Sequence, residues 1–115
     1  MAEPTIRRPG EGEHHERSDG YRRILVATEQ ISVIELGFDE SLVVDPHTHP
    51  DHTDSFYVLE GELEFLENGE WERVGPGTFL SVPPNIEHGF RPCGVDFRLL
   101  NFHTPNVGFI EGLRK

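Results

Sequence analysis

Residues 47–61 read HTHPDHTDSFYVLEG and place three histidines and two aspartates directly ahead of an apolar run and a glycine. In extended chain the side chains alternate faces with a period of two, so His47 and His49 project to one side and can reach one ion. The segment from Pro50 to Thr53 is polar and turn-prone, which bends the chain and returns Asp54 at the start of a strand expected over residues 55–59. Asp54 then adds an oxygen donor. His88 follows the run Val82-Pro83-Pro84-Asn85, where another strand is expected to begin. Three imidazoles and a carboxylate suit one divalent transition metal (Mn, Fe, Co, Ni, Cu or Zn) better than Ca, which takes oxygen donors.

The intervals continue outward from this stretch. His47, one residue, His49, four residues, Asp54, six residues and Gly61 make one motif, and Gly77, Pro83, Asn85 and His88 make a second further along the chain. This spacing resembles the two motifs of the cupin family, over roughly residues 21–103. Four positions depart from the family pattern: Ser41 and Asn85 stand where it has Gly, Asp54 where it has Glu, and Pro92 where it has Asn. Asn85 is a mild change, since Asn tolerates left-handed backbone. Asp54 matters more, being one methylene shorter than a glutamate. The resemblance implies an all-β fold, an antiparallel jelly-roll barrel in a single domain, with about nine to eleven strands and almost no helix. It also implies a metal held by His47, His49, Asp54 and His88 in the barrel mouth, with a position left for water or substrate, and Asp54 as a catalytic group, either ligand or proton acceptor.

Composition points the same way. A chain of 115 residues is expected to be one domain, and 12 Gly and 9 Pro suit short strands joined by tight turns. A net charge of −11 disfavours nucleic acid and anionic membrane as partners. The first residues carry no apolar core like that of a signal peptide, so the expected location is cytoplasmic. Cys93, the one cysteine, is read as a passive turn residue.

Residues 1–20 are charged and rich in Pro and Gly, and are expected to form a flexible arm ahead of a barrel over residues 21–115. His14-His15 within it reads as a solvated pair. Strands are expected over 21–28, 31–38, 42–49, 63–66, 71–74, 78–82 and 95–103, with one re-entering at Ile86 and a hairpin turn at Asn68-Gly69. In the second of these Ile34, Leu36 and Phe38 share one face while Ile31, Val33 and Glu35 take the other, which suggests cover on both sides, by another subunit or the N-terminal arm, and with the long arm a homodimer. His52 reads as a surface residue, and His103, at a strand end, as exposed or hydrogen-bonded.

Phe56, Val58, Leu63, Phe65, Phe79, Phe90, Phe97 and Leu99 are candidates for an apolar interior around the metal, and no Arg, Lys or amide is assignable to the inner face. That lining points to a small aromatic or enolisable ligand. Small cupins of this appearance resemble quercetinase-type dioxygenases, so the leading expectation is a metal-dependent oxidoreductase. An isomerase or cyclase using the same ion, and a non-catalytic metal-assisted ligand-binding or sensor module, remain alternatives.

Overall fold

The computed structural model describes residues 3–42 and 44–114. Its described residues form nine strands and one short helix: β1 (Glu13–Arg17), β2 (Gly20–Ala27), β3 (Ser32–Phe38), β4 (Thr53–Glu60), β5 (Leu63–Glu67), β6 (Glu70–Val74), β7 (Phe79–Val82), β8 (Gly89–Pro92), β9 (Phe97–Thr104) and α1 (Phe109–Leu113). All pairings are antiparallel, in a larger sheet ordered β1-β2-β3-β9-β4-β7 and a smaller one ordered β6-β5-β8. The all-β, single-domain jelly-roll expectation is met.

Between the sheets lies a core dominated by phenylalanines. Phe38, Phe56, Phe65, Phe90 and Phe97 are all buried, with neighbouring ring centroids 5.5–6.0 Å apart in the pairs Phe38–Phe97, Phe56–Phe90, Phe56–Phe65 and Phe38–Phe90. Such tilted contacts add to the area term that drives burial. Phe97, Leu99, Asn101 and His103 alternate inward along β9, as a period of two requires. Phe79 does not join them: it is 60% exposed and pairs with Tyr57 on the outer side of β4 and β7. Val95 is likewise exposed and precedes β9.

Two boundaries differ from the sequence expectation. The division into a flexible arm over residues 1–20 and a barrel from residue 21 cuts through a hairpin, because β1 pairs with β2 from Glu13↔Ile24 to Arg17↔Gly20. Its sequence, EHHER, has no apolar alternation, so the backbone ladder and end contacts hold it. Arg114 Nη2 donates to Glu13 at 2.8 Å, Arg17 donates to the Leu113 carbonyl at 3.1 Å, and the His14 ring stacks on Tyr21. The second difference lies at residues 42–49, expected as a strand. Val43 falls outside the described residues, and the rest forms only a single bridge, His47↔His88. The Asn68-Gly69 turn is as expected, with φ of 50° and 80° in a two-residue loop between Glu67 and Glu70.

The outer face of β3 is covered within the chain. Glu35, on that face, accepts hydrogen bonds from the Tyr21 hydroxyl and from Arg98 and is paired with Arg23 at 3.1 Å. Tyr21 also lies over Gly37, where a Cβ would stand 2.2 Å from its ring.

Candidate metal centre

Backbone hydrogen bonds join the two sequence motifs. His47 N–H donates to the His88 carbonyl and His88 N–H to the His47 carbonyl, both at 2.9 Å, and Asn85 N–H donates to the His49 carbonyl at 2.7 Å. Asn85 adopts φ of 69°, the left-handed backbone that its place in the motif calls for. A bridge with no longer ladder therefore suffices to present His47 and His49 to the same side, beside His88 and across from Asp54 on β4. All four expected residues come together: one donor atom from each of His47, His49, Asp54 and His88 lies within 4.8 Å of every other.

Their orientation is fixed by groups around them. Two Nδ1 atoms face backbone carbonyls, that of His47 against Asp45 at 2.9 Å and that of His88 against Ile86 at 3.0 Å. A donor bond from Nδ1 leaves the Nε2 lone pair free for a metal. Asp54 is 4% exposed; its Oδ1 accepts from Asn101 Nδ2 at 2.6 Å, while its Oδ2 stands 3.1 Å from His88 Nε2 and 3.5 Å from His49 Nε2. These spacings match the edge of about 3.3 Å of a tetrahedron with bonds of about 2.0–2.1 Å. The donor set therefore fits a borderline divalent ion, with imidazole and carboxylate ligands and no thiolate.

Burial alone would raise the carboxyl of Asp54, but hydrogen bonds from His103, His88 and Asn101 outweigh it and hold the group well below the ordinary carboxylate range. Burial works to lower His88, yet its bonds to Asp54 and the Ile86 carbonyl leave it raised. His49 is lowered, first by burial, despite the attraction of Asp54.

The cluster opens on a cavity of about 240 Å³ walled by Leu36, Phe38, Leu42, Val44, Phe56, Phe90 and Phe109. Arg22, Asn101 and His103 also line it, so an Arg and an amide that the sequence did not assign to the inner face lie there. Arg22 shares the face of β2 that carries buried Ile24; its guanidinium lies 4.5 Å from the Phe38 ring centroid and pairs with Asp19 at 2.9 Å. Parity with Ile24 was the available signal. His52 and His103, read from sequence as surface or strand-end residues, are 4% and 5% exposed and lie beside Asp54. For His103 the signal was its place in the Phe97-Leu99-Asn101-His103 alternation; His52 sits in the turn before β4 and carried none.

The family model described as the cupin domain matches residues 35–102. This chain belongs to the cupin family. The cupin is 35% identical over 95 residues to quercetin 2,3-dioxygenase from Bacillus subtilis, a match that covers 78% of this chain and spans 28% of that enzyme's length. Among solved structures it is similar to KdgF from a Halomonas species, with a TM-score of 0.81 at 23% identity over 96% of this chain and 99% of the other. An RmlC-like cupin from Shewanella frigidimarina superposes with a TM-score of 0.81 at 22% identity, over 94% and 96% of the two chains. At those identities the structural matches establish the fold. Among the described residues no helix is long and apolar enough to cross a membrane.

Proposed function

We propose that this cupin is a metal-dependent oxidoreductase of the dioxygenase type, acting on a small aromatic or enolisable molecule. The observation that carries the reading is that His47, His49 and Asp54 of the four-residue cluster line a small cavity whose remaining wall is mainly aromatic and aliphatic. The likeness to quercetin 2,3-dioxygenase supports it, though this chain spans only part of that enzyme's length. His47, His49, Asp54 and His88 would hold a divalent ion, which would supply Lewis acidity toward an enolate or hydroxyl oxygen of the substrate.

The protein's own part is positioning and exclusion of water. Phe38, Phe56, Phe90 and Phe109 give a planar substrate an apolar wall, and their low polarity strengthens electrostatic contacts made inside. Asn101 donates to both Asp54 Oδ1 and the Ser55 carbonyl, so the amide fixes the carboxylate's plane. The second oxygen of Asp54 is then directed at the histidines, where it acts as ligand or takes a proton from an incoming hydroxyl. Arg22, 4.5 Å from the Phe38 ring centroid and paired with Asp19, lines the cavity and offers its remaining guanidinium donors to an ionised substrate oxygen.

Arg22 also favours a second reading, an isomerase or cyclase acting on an anionic carbonyl compound without oxygen. Oxygen consumption by metal-loaded protein across flavonols, catechols and β-diketones, beside thermal shifts with the same compounds, separates the readings. Oxygen uptake that disappears in an Asp54→Ala, His88→Ala double variant is the expected result. Turnover that persists without oxygen selects the isomerase, and binding without turnover selects a ligand-binding module. Oxygen uptake surviving the double variant overturns the assignment of this site.

A further inference from the structure

We propose that His52, Asp54 and His103 form a second divalent-cation site, joined to the first through the two oxygens of Asp54. Each of the three residues offers a donor atom within 4.8 Å of the others, and all three are buried. His103 Nε2 stands 3.3 Å from Asp54 Oδ1, the spacing of two ligands on one ion, while His49 and His88 of the first cluster stand 3.5 and 3.1 Å from Oδ2. A carboxylate whose two oxygens face two separate imidazole groups is disposed to bridge two ions. Oδ1 also accepts from Asn101, and a carboxylate oxygen has a second lone pair for the further contact.

The independent observation is an orphaned atom. His52 Nε2 is buried with no hydrogen-bond partner, and its ring lies 4.6 Å between centroids from that of His103, whose Nε2 faces Asp54. A buried imidazole nitrogen with an unused lone pair calls for a ligand. His52 Nδ1 already faces Asp51 Oδ1 at 2.8 Å, an arrangement in which Nδ1 donates to a carboxylate and the Nε2 lone pair is left for a cation. A groove of about 340 Å³ lined by His49, Pro50, Asp51, His52, His103 and Phe109 reaches the site, and His103 also lines the main cavity. Three protein ligands and an open groove leave room for water or a substrate atom in a fourth position.

The second site does not need the first to be occupied; only the bridge does. The test is stoichiometry: the full chain, freed of metal by chelator, is titrated with Zn(II) against a chromophoric competitor. Wild type is expected to take up two equivalents, a His52→Asn, His103→Asn variant one, and a His47→Ala, His88→Ala variant the other one. The His52→Phe single variant, which fills the ring's volume without a donor, repeats the loss where the double variant melts early in metal-free buffer. Uptake of a single equivalent by wild type, unchanged in the His52 variants and lost in the His47, His88 variant, overturns the second site and leaves the first intact. A single equivalent lost only in the His52 variants supports the second site and overturns the ligand set proposed for the first. No uptake at all overturns both.

Discussion

Asp54→Asn should separate the carboxylate's role in the bare fold from its role toward a metal. Asp54 accepts from Asn101 at 2.6 Å and faces His88 at 3.1 Å. An asparagine keeps an acceptor for Asn101 and turns its NH2 toward His88, so two charge-assisted bonds of about 1.5–3 kcal/mol become neutral ones of about 1 kcal/mol. Relief of the buried charge offsets part of that loss, which leaves a destabilisation of about 1–2 kcal/mol. Toward a metal the change is larger, because the one anionic donor of the cluster becomes a neutral oxygen. A hundredfold weaker ion removes about 2.7 kcal/mol of ligand-linked stability at fixed metal concentration. For a domain of this size about 3–6 °C of Tm corresponds to each kcal/mol. Thermal unfolding followed by circular dichroism should therefore fall by about 3–12 °C in chelator and by about 8–16 °C more in saturating Zn(II) or Ni(II). The pH dependence has a definite sign. Asp54 is held below its unfolded value, so its stabilisation is present above about pH 4 and is lost as the pH falls through the depressed pKa. His88 is raised, so its stabilisation is complete below about pH 6.5 and is lost as the pH rises through its folded value. In metal-free protein the gap between wild type and Asp54→Asn should thus be widest between about pH 4 and 6.5 and narrow on either side. An Asp54→Asn protein that keeps the full metal-induced rise in Tm would refute the reasoning.

Three further outcomes follow from other parts of the structure. Arg22→Met should raise KM about ten- to a hundredfold for substrates carrying an ionised oxygen and leave neutral ones unchanged, measured by steady-state kinetics or thermal shift. Burial first, and then the hydrogen bond to Glu35, push Tyr21 up to about 12, so stability should decline between about pH 10 and 12, and phenolate absorbance in Tyr21→Phe should lack that late step. Gly37→Ala should lower the denaturant midpoint by the equivalent of about 1–3 kcal/mol, since its methyl meets the Tyr21 ring and dislodges the Tyr21–Glu35 contact; an unchanged midpoint would mean that the ring moves aside freely.

What could be read from the chain depended on whether a signal was local. The spacing of His47, His49, Asp54, Gly61 and His88 carried the candidate site and the family resemblance that implied the fold, and the facing of His47 and His49 followed from the alternation of extended backbone. The strand expected at residues 42–49 failed because one mutual backbone bridge to His88 presents the two histidines without a ladder, and alternation cannot tell the two apart. β1 was invisible for the opposite reason: its charged sequence has no buried face, and its partner β2 supplies the pairing. Phe79 looked like core by residue type, yet β7 turns it outward opposite Tyr57. Arg22 and His103 sat on inward parities that were legible, but His103 stood at a strand end, where exposure was the expectation, and Arg22 drew no assignment. Only the contacts with Phe38 and Asp54 reveal why the interior accepts them.

The account rests most directly on an ion at the junction of the two motifs. Anomalous diffraction from crystals of cobalt-loaded protein, recorded at the metal's absorption edge, tests that position. The account predicts a peak within about 2.0–2.2 Å of one nitrogen each of His47, His49 and His88 and of an oxygen of Asp54. A cobalt-loaded crystal with no anomalous density among those four residues would contradict it.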